Sequence, residues 1–492
     1  METNSRVTAW LGFGLLFCAA SCAANDDFQQ WMQQQAGGIA AQKKEFQEYK
    51  DKRDKEFTAF LKTQWKAVDI VKGEVHDIEP KPDVLPVAPL KPPVSIVQKP
   101  AHQPPVSIEL PEPLVKEKPL PAPVVVAAKG NKITIDFYGK QISFYYDARL
   151  KQRLNTKIDA EAISNYWSQL SRADYENLLA QLNAQKRSGQ LNDWAYASLI
   201  HKLAAKIYNG SRNEGALLSW FLLVKSGYKA RIAYSDIAVF LLVPSKQEMF
   251  EVSYFTYDGR RFYAVEFDGG RQRPGKVYTY DGEYPEALKD FDMQVTASVA
   301  SSDQSERRHL SFDFEGKKYS VDVTFDRGRV KFLGDYPQLD LSLYFASGVY
   351  RITATPLQQQ LAAFMQGMSE QQAVNFLLRF VQAALQYETD EQQFGKENYL
   401  FPEETLFYPY SDCEDRAVLF AWLVKSLLNL DVVGLDYPGH VAAAVHFNDV
   451  VPGDSISYQG KRYTVTDPTY TNAVAGMSMP NFKQFKPTVI AY

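Results

Sequence analysis

The stretch YPYSDCEDRAVLFAWLVKSLL, residues 408–428, decides the fold of the C-terminal part of this chain. A proline precedes an apolar stripe at helical spacing, which predicts a helix that begins near Cys413. Ser411 and Glu414 are three residues apart, the spacing of a capping box. Cys413 is therefore expected at the first turn, where free backbone N–H groups and the helix dipole favour negative charge. This position is expected to lower the pKa of the thiol and to stabilise an oxyanion beside it.

The composition of the 492-residue chain is that of an ordinary globular protein, with 45% apolar and 23% charged residues. Its formal net charge of −4 argues against nucleic-acid binding. Gly-rich phosphate loops, paired-cysteine zinc spacings and the HExxH motif are absent from the sequence, so we expect neither a cofactor nor a metal ion. Glu414 and Asp415 are interpreted as helix-cap groups that face solvent, and Glu403 and Glu404 as loop carboxylates.

Residues 1–24 have the pattern of a bacterial secretory signal. Arg6 supplies a positively charged start, and the apolar run from Val7 to Ala20 is too short to span a bilayer. We therefore expect an exported protein, either periplasmic or an outer-membrane lipoprotein.

Two cleavage chemistries are open for this signal. Signal peptidase could cut near Ala23 or Ala24, or the run AASC could act as a weak lipobox and leave a lipidated Cys22 as the only membrane contact. Cys18 is removed in both cases, and Cys22 is removed or acylated. Cys413 is then the one thiol left without a disulfide partner, which in an oxidising compartment hints at reactivity.

The composition along the chain predicts four further segments after the signal. Residues 25–72 are expected to form a helical segment, with aromatic and aliphatic residues at helical intervals up to Trp65 and Val68, suited to docking on its own chain or on an envelope partner. Fourteen of the 26 prolines lie between Pro80 and Pro123, which makes residues 73–128 an extended, unpacked linker. Globular character begins near residue 129, with domains expected at 129–350 and 351–492.

An internal repeat relates these two domains. The sequence ALLSWFLLVKS, starting at Ala216, matches AVLFAWLVKS, starting at Ala417, and a strand pattern follows each. The fold class expected is α+β, with one helix-then-sheet unit present twice. With Lys225 aligned to Lys425, Cys413 aligns with Asn213, and the later match of DGRRFYAVEF with QGKRYTVTDP aligns Asp467 with Glu266. The first copy therefore lacks a nucleophile and is expected to be a degenerate scaffold or binding domain.

A base and an orienting carboxylate are available in the second copy. His440 and His446 are six residues apart on an apparent strand, HVAAAVHF, and so lie on one face but too far apart to share a site. His440 starts the strand and is the better candidate for a general base. Asp467 ends the strand KRYTVTD and is preferred as the group that orients the imidazole. Three loop carboxylates are alternatives: Asp436, Asp449 and Asp454.

The runs SDCEDRAVLFAWLV, GHVAAAV and YTVTDPTY resemble the transglutaminase-like superfamily, in particular its bacterial transglutaminase-like cysteine peptidases. The resemblance covers residues 355–475 well and residues 155–270 loosely. It implies a papain-like core, in which the cysteine-bearing helix packs on an antiparallel sheet. It also implies Cys413 as nucleophile, His440 as base and acid, and Asp467 as orienter.

Two departures from the family concern the oxyanion hole. Ser411 stands where the family usually has glycine, and the tryptophan often found ahead of the cysteine is absent. Tyr399, Phe401 or Tyr410 could take its place.

Three functions follow from these features. The first is an exported cysteine hydrolase, a peptidase or amidase that acts on a peptide or protein of the cell envelope through a thioester. The second is a non-catalytic envelope scaffold, docked through its N-terminal helix. The third is a cross-linking acyltransferase, in which an amine replaces water as the second nucleophile.

Overall fold

The computed structural model describes most of the chain, namely residues 41–42, 44–76, 81, 84–89, 128–154, 157–267, 275–295 and 304–492. Two compact units are distinguished, Met1–Thr63 and Gln64–Tyr492. The predicted signal peptide 1–24 and the lipidation at Cys22 lie outside the described residues. Within the described ranges, no helix combines the length and the apolar character needed to cross a bilayer.

The first unit contributes helix α1, which covers residues 44–63. The predicted helical segment 25–72 is wrong at its C-terminal end, because Trp65–Asp69 form strand β1 of the second unit. Trp65 and Val68 are three residues apart, and the periodicity of so short a run does not distinguish a helix from a strand. Trp65–Asp69 pair with a strand more than two hundred residues later in the chain, Lys276–Tyr280, and this pairing stabilises the extended conformation.

The part of the second unit up to residue 350 mixes strands and helices, as the α+β prediction requires. Its strands after β1 are β2 (Asn131–Phe137), β3 (Lys140–Tyr146), β4 (Arg231–Tyr234), β5 (Val239–Pro244), β6 (Met249–Phe250), β7 (Tyr254–Tyr257), β8 (Arg260–Val265), β9 (Lys276–Tyr280), β10 (Ser305–Phe314), β11 (Lys317–Asp326) and β12 (Gln338–Leu339). Its helices are α2 (Ala160–Ser171), α3 (Tyr175–Ser188), α4 (Asp193–Ile207), α5 (Arg212–Lys225), α6 (Arg327–Gly334) and α7 (Leu341–Ala346).

The remaining residues contain the candidate site. Their helices are α8 (Arg351–Phe364), α9 (Glu370–Ala384), α10 (Asp390–Phe394), α11 (Pro402–Phe407) and α12 (Cys413–Leu428). Their strands are β13 (Gln386–Tyr387), β14 (Tyr410–Ser411), β15 (Asp431–Tyr437), β16 (His440–His446), β17 (Ser455–Tyr458), β18 (Lys461–Thr466) and β19 (Thr488–Ile490).

Two antiparallel sheets have the same strand order. The first runs β9-β4-β5-β8-β7, with β1 added beyond β9, and the second runs β19-β15-β16-β18-β17. An apolar helix packs on the central pair of strands in each, α5 on β4 and β5, and α12 on β15 and β16. The central strands are buried almost throughout, because one face meets the helix and the other meets further packed residues.

Helix α12 begins where the sequence predicts, with a different cap. Asp412 has an extended backbone and serves as N-cap, and its N–H donates to Asp415 Oδ2 at 3.4 Å. The predicted capping box of Ser411 and Glu414 is therefore displaced by one residue. The helix ends at Asn429, whose φ of 53° lies in the left-handed region that asparagine tolerates at a C-cap.

A long hairpin of β10 and β11 lies between the two sheets in sequence and packs on the helices that lead to the candidate site. Strand β10 contacts α9, and β11 contacts α8. Phe312 of β10 meets Phe376 and Phe380 of α9 edge to face, with ring centroids 5.1 and 5.4 Å apart. This packing fixes α9, which in turn contacts α12.

Part of the predicted linker 73–128 is packed, contrary to the expectation for a proline-rich segment. Lys81 and Ala88 both contact the C-terminal part of the chain, and Ala88 is only 1% exposed. Proline removes backbone donors, yet the non-proline residues between prolines keep theirs and can still pair with a loop. The N–H of Ala88 does so, donating to the carbonyl of Thr471 at 2.8 Å.

Candidate active site

The thiol of Cys413 lies at the start of α12 and is fully buried. It donates a hydrogen bond to Glu414 Oε2, with 3.0 Å between sulfur and oxygen. Burial, followed by the charge of Glu414, holds the pKa of the thiol well above its usual value, although Lys81 opposes the shift. The prediction of a lowered pKa is therefore wrong in this conformation, because burial of the thiol, followed by the charge of Glu414, outweighs the helix N-terminus.

Four carboxyl groups form an acidic cluster around this thiol: Asp390, Asp412, Glu414 and Asp415. All four are at most 1% exposed, so the prediction that Glu414 and Asp415 face solvent is wrong. Oxygens of Asp390, Asp412 and Glu414 lie within 4.8 Å of one another, which is the arrangement of a candidate cation site. Oδ1 of Asp390 and Oδ1 of Asp412 have no hydrogen-bond partner among the described residues.

Lys81 places a positively charged ammonium group in contact with the acidic cluster. Its ammonium contacts Glu397 Oε1 at 2.6 Å, Asp412 Oδ2 at 2.8 Å and also Glu414 Oε1. Burial opposes the charge of Lys81, but the carboxylates Glu414 and Asp412 more than offset it and raise the pKa of Lys81. Glu414 therefore bridges two groups, with one oxygen on the ammonium and the other on the thiol.

His440 and Asp467 form a buried pair at the other side of the site. His440 is the first residue of β16, and Asp467 directly follows β18, its neighbour in the sheet. The imidazole Nε2 lies 2.8 Å from Asp467 Oδ2. Nδ1 of His440 is also buried and has no hydrogen-bond partner within the described part of the chain. His440 and Asp467 are thus in contact, and the orienting role of Asp467 stays a prediction.

The loop after β18 holds the Asp467 carboxylate in place. The N–H groups of Thr469 and Tyr470 donate to Oδ1 at 2.9 and 3.2 Å, which leaves Oδ2 for the imidazole. Gln382 of α9 donates from Nε2 to the carbonyls of Asp467 and Tyr470 at 3.2 and 2.9 Å. Sequence reasoning missed Gln382, because nothing in a glutamine within an amphipathic helix marks it as a loop anchor.

The ring of Phe482 completes the environment of the imidazole. It stacks on His440 with ring centroids 4.7 Å apart and an interplanar angle of 20°. The stacked ring limits rotation of the imidazole and keeps water from one of its faces. The alternative carboxylates lie elsewhere: Asp454 pairs with Lys483 at 2.8 Å, and Asp436 and Asp449 are exposed.

The structure joins His440 to Asp467 but does not join Cys413 to His440 by a hydrogen bond. The two lie on elements that pack together, α12 and β16, yet the sulfur is bonded to Glu414. The expected thiolate–imidazolium pair is thus not formed in this conformation. Forming it requires the thiol to leave the carboxylate.

Ser411 and the aromatic candidates for the oxyanion hole have structural contacts. Ser411 Oγ accepts from Arg416 Nε at 3.2 Å, and Arg416 also donates to the carbonyl of Leu385 at 3.0 Å. Phe401 is stacked on Tyr344 in the core. Tyr399 lies beside the acidic cluster, with the Lys81 ammonium 6.0 Å from its ring centroid, and Tyr410 is in β14, directly before Ser411.

Asp390→Asn is expected to stabilise the protein above neutral pH. Burial, then Asp412 and Asp415, raise the pKa of Asp390 to about 11, so the native state holds a proton that the unfolded chain releases. This contribution is complete below pH ~4 and is lost as pH rises towards 11, at up to ~1.4 kcal/mol per pH unit. Urea unfolding between pH 5 and 9 should give a flatter dependence for the variant.

The matched control for this measurement is Asp449→Asn, which changes an exposed carboxyl and should follow the wild-type curve. Parallel curves for Asp390→Asn and wild type would show that Asp390 carries no extra proton in the native state.

Comparisons of the chain with protein-family models, with curated proteins and with solved structures give no match. Function is therefore inferred from the site itself.

Proposed function

We propose that the protein is an exported cysteine hydrolase, a peptidase or amidase that uses Cys413, His440 and Asp467 on a peptide or protein of the cell envelope. The observation that carries the proposal is the buried His440–Asp467 pair, in which Nε2 is bonded to the carboxylate and Nδ1 is left open. An orienting carboxylate on one ring nitrogen sets the tautomer and leaves the other nitrogen free to accept a proton.

The reaction proceeds in two steps through a thioester. Nδ1 of His440 takes the proton from Cys413, and the sulfur attacks the amide carbonyl carbon. The C–N bond then breaks, and the imidazolium returns its proton to the leaving amine. Water, deprotonated by the same nitrogen, cleaves the thioester and restores the thiol. Asp467 stabilises the imidazolium in both steps, and the N–H groups of the first turn of α12 receive the oxyanion.

The proposal includes a fold, a papain-like transglutaminase core present twice at 129–350 and 351–492. Identical strand order in the two sheets, each with an apolar helix on its central strands, supports the duplication. Asp467 follows β18 as Glu266 follows β8, and His440 begins β16 as Val239 begins β5.

Contacts in the first copy support placing Cys413 beside His440. With Lys225 aligned to Lys425, Asn213 corresponds to Cys413, and its Oδ1 accepts from the N–H of Val239 at 2.9 Å. Its Nδ2 donates to the carbonyl of Ile237 at 3.2 Å, two residues before the strand begins. A short side chain at this helix position therefore reaches the start of the strand, which is where His440 lies in the second copy.

One observation favours the alternative of a non-catalytic scaffold. Cys413 is fully buried and bonded to a carboxylate, and its pKa is raised, which is the state of an inert cysteine. In a scaffold the His440–Asp467 pair would be a structural hydrogen bond between neighbouring strands. The scaffold and the hydrolase differ in whether the imidazole activates the thiol.

Alkylation of Cys413 by iodoacetamide at pH 7 tests this difference. We expect His440→Ala to slow alkylation at Cys413 by about tenfold relative to wild type, because the thiolate loses the imidazolium that stabilises it. Peptide mapping by mass spectrometry quantifies Cys413 alone, whatever the state of Cys18 and Cys22.

The control for alkylation is His446→Ala, which removes the other histidine of β16. Its Nδ1 lies 2.8 Å from the carbonyl of Arg462, at the far end of the strand from the site. Equal alkylation rates for all three proteins would remove the basis of the hydrolase proposal and leave the scaffold.

A further inference from the structure

The acidic cluster already holds a primary ammonium group. Lys81 lies 331 residues before Asp412 in the chain, and its ammonium contacts three carboxylates while its side chain is 12% exposed. Two further oxygens, Oδ1 of Asp390 and Oδ1 of Asp412, are buried without a partner in the described residues. Oδ1 of Asp412 is therefore an acceptor oxygen that Lys81 does not use, in a cluster that already accommodates one cationic group.

Residues 84–89, the next described residues after Lys81, pair with the loop that follows β18. Thr471 donates to the carbonyl of Pro86 at 3.0 Å and accepts from the N–H of Ala88 at 2.8 Å, which forms a parallel bridge with Val87. This is the backbone pairing by which peptides add to an open edge in β-augmentation. Thr471 lies four residues after Asp467, so the bridge borders the loop that holds the catalytic carboxylate.

The apolar end of the same segment reaches the imidazole side of the site. Ala88 packs in a cluster with Tyr470 and Met479, and Phe482 packs against that cluster. Phe482 is also the ring stacked on His440. The described residues 81 and 84–89 thus contact the carboxylates beside Cys413 at one end and the surroundings of His440 at the other.

We propose that the acidic cluster beside Cys413 is a subsite for a primary ammonium group of an extended peptide, and that Lys81 of this chain occupies the subsite in place of that peptide. That the peptide is a substrate rests on the hydrolase function proposed above. That the cluster binds an ammonium group does not depend on that function. A lysine side chain or a peptide N-terminus near the scissile bond provides such a group.

The same arrangement explains why the thiol is held away from the imidazole. Glu414 accepts from the ammonium on one oxygen and from the thiol on the other, so one carboxylate holds both groups. An incoming peptide must displace Lys81 and Ala88 before its own ammonium can enter. The linker segment is therefore an internal competitor for the subsite.

Three methanethiosulfonate reagents of different charge test the subsite directly. The 2-aminoethyl reagent carries a primary ammonium, the methyl reagent is neutral, and the 2-sulfonatoethyl reagent is an anion. Rates at Cys413 are measured by peptide mapping in buffer with a chelator, and each is divided by its rate on N-acetylcysteine amide. The ratio of cation to neutral reagent cancels changes in the thiolate fraction.

In wild type we expect this ratio to be near one, because Lys81 fills the cluster. In Lys81→Gln the ratio should rise about tenfold, the equivalent of ~1.4 kcal/mol of ion pairing. Adding Asp412→Asn should lower it again, and the anion should be the slowest reagent throughout. An unchanged ratio in Lys81→Gln, or an anion that reacts as fast as the cation, would overturn the proposal.

Ala88→Glu is a second variant that leaves the acidic cluster intact. A carboxylate in the apolar cluster around Ala88 should release the segment and give the same preference for the cation. This variant decides the test if Lys81→Gln is misfolded, as thermal melting would reveal, and a ratio near one in a folded Ala88→Glu protein contradicts the subsite.

The outcome is separable from that of the hydrolase proposal. The labelling ratio needs no turnover, so His440→Ala in the Lys81→Gln background should keep the preference for the cation. If the ratio is preserved and His440→Ala does not change alkylation, the subsite stands and the hydrolase proposal fails. If the ratio stays near one in Lys81→Gln and His440→Ala slows alkylation, the hydrolase proposal stands and the subsite fails.

Discussion

Cys413→Ala is expected to abolish release of new amino termini from a synthetic peptide pool, by at least about a thousandfold relative to wild type. The thioester cannot form without the sulfur, and the remaining residues supply no other nucleophile at the start of α12. Amine-reactive labelling of the product peptides, followed by mass spectrometry, measures the release. Lysine-containing peptides belong in the pool because the acidic cluster contacts an ammonium group.

The substitution should leave the fold in place. Cys413 is buried, but alanine removes only the sulfur and its single hydrogen bond to Glu414, so we expect a loss of about 1 kcal/mol or less in unfolding free energy. His446→Ala serves as the matched active control. Equal release by wild type and Cys413→Ala, or none by wild type, contradicts the hydrolase proposal.

Glu403→Ala is expected to destabilise the protein by about 3–5 kcal/mol, the largest destabilisation that we predict for a substitution. Its carboxylate accepts from Arg329 Nε at 2.8 Å, from the N–H of Tyr350 at 3.1 Å and from Thr353 Oγ1 at 2.8 Å. Glu403 and Arg329 are both fully buried, so alanine would remove the ion pair of a buried guanidinium with Glu403. Urea unfolding monitored by tryptophan fluorescence gives the change in free energy.

A double-mutant cycle separates the loss of the pair from the cost of an unpaired charge. Glu403→Gln keeps the volume and some of the hydrogen bonds, and should cost less than Glu403→Ala. Arg329→Met with Glu403→Leu replaces both charges by apolar groups and should be less destabilising than the sum of the single changes. Additive losses would mean that the two side chains do not interact energetically.

The importance of Glu403 could not be inferred from its place in the sequence. The run FPEETLF contains two acidic residues in a short segment, and such residues are usually solvated. The structure instead places Glu403 where α6, α8 and α11 meet, and burial raises the pKa of its neighbour Glu404 to about 8. Contacts with residues 50 and 74 positions away decide this burial, and no local pattern reports them.

Local patterns did predict the elements that carry the candidate triad. Apolar spacing after Pro409 placed the start of α12 at Cys413, the strand HVAAAVH begins at His440, and Asp467 directly follows its strand. These features depend on periodicity and on turn residues within a few positions, which is information that the sequence holds locally. The matching order of the two sheets agrees with the repeat that relates Ala216 to Ala417.

The sequence by itself therefore determined the α+β class, the start of α12 and the strand ends that bear His440 and Asp467, because each follows from near neighbours in the chain. Only the tertiary structure decided the direction of the thiol pKa. Folding buries the Cys413 thiol and places Glu414 and Asp412 beside it, which raises the pKa, while Lys81, brought in from a proline-rich segment, opposes this shift. Electrostatic effects on a buried group depend on distances in space, and these distances are set only when the whole unit has packed.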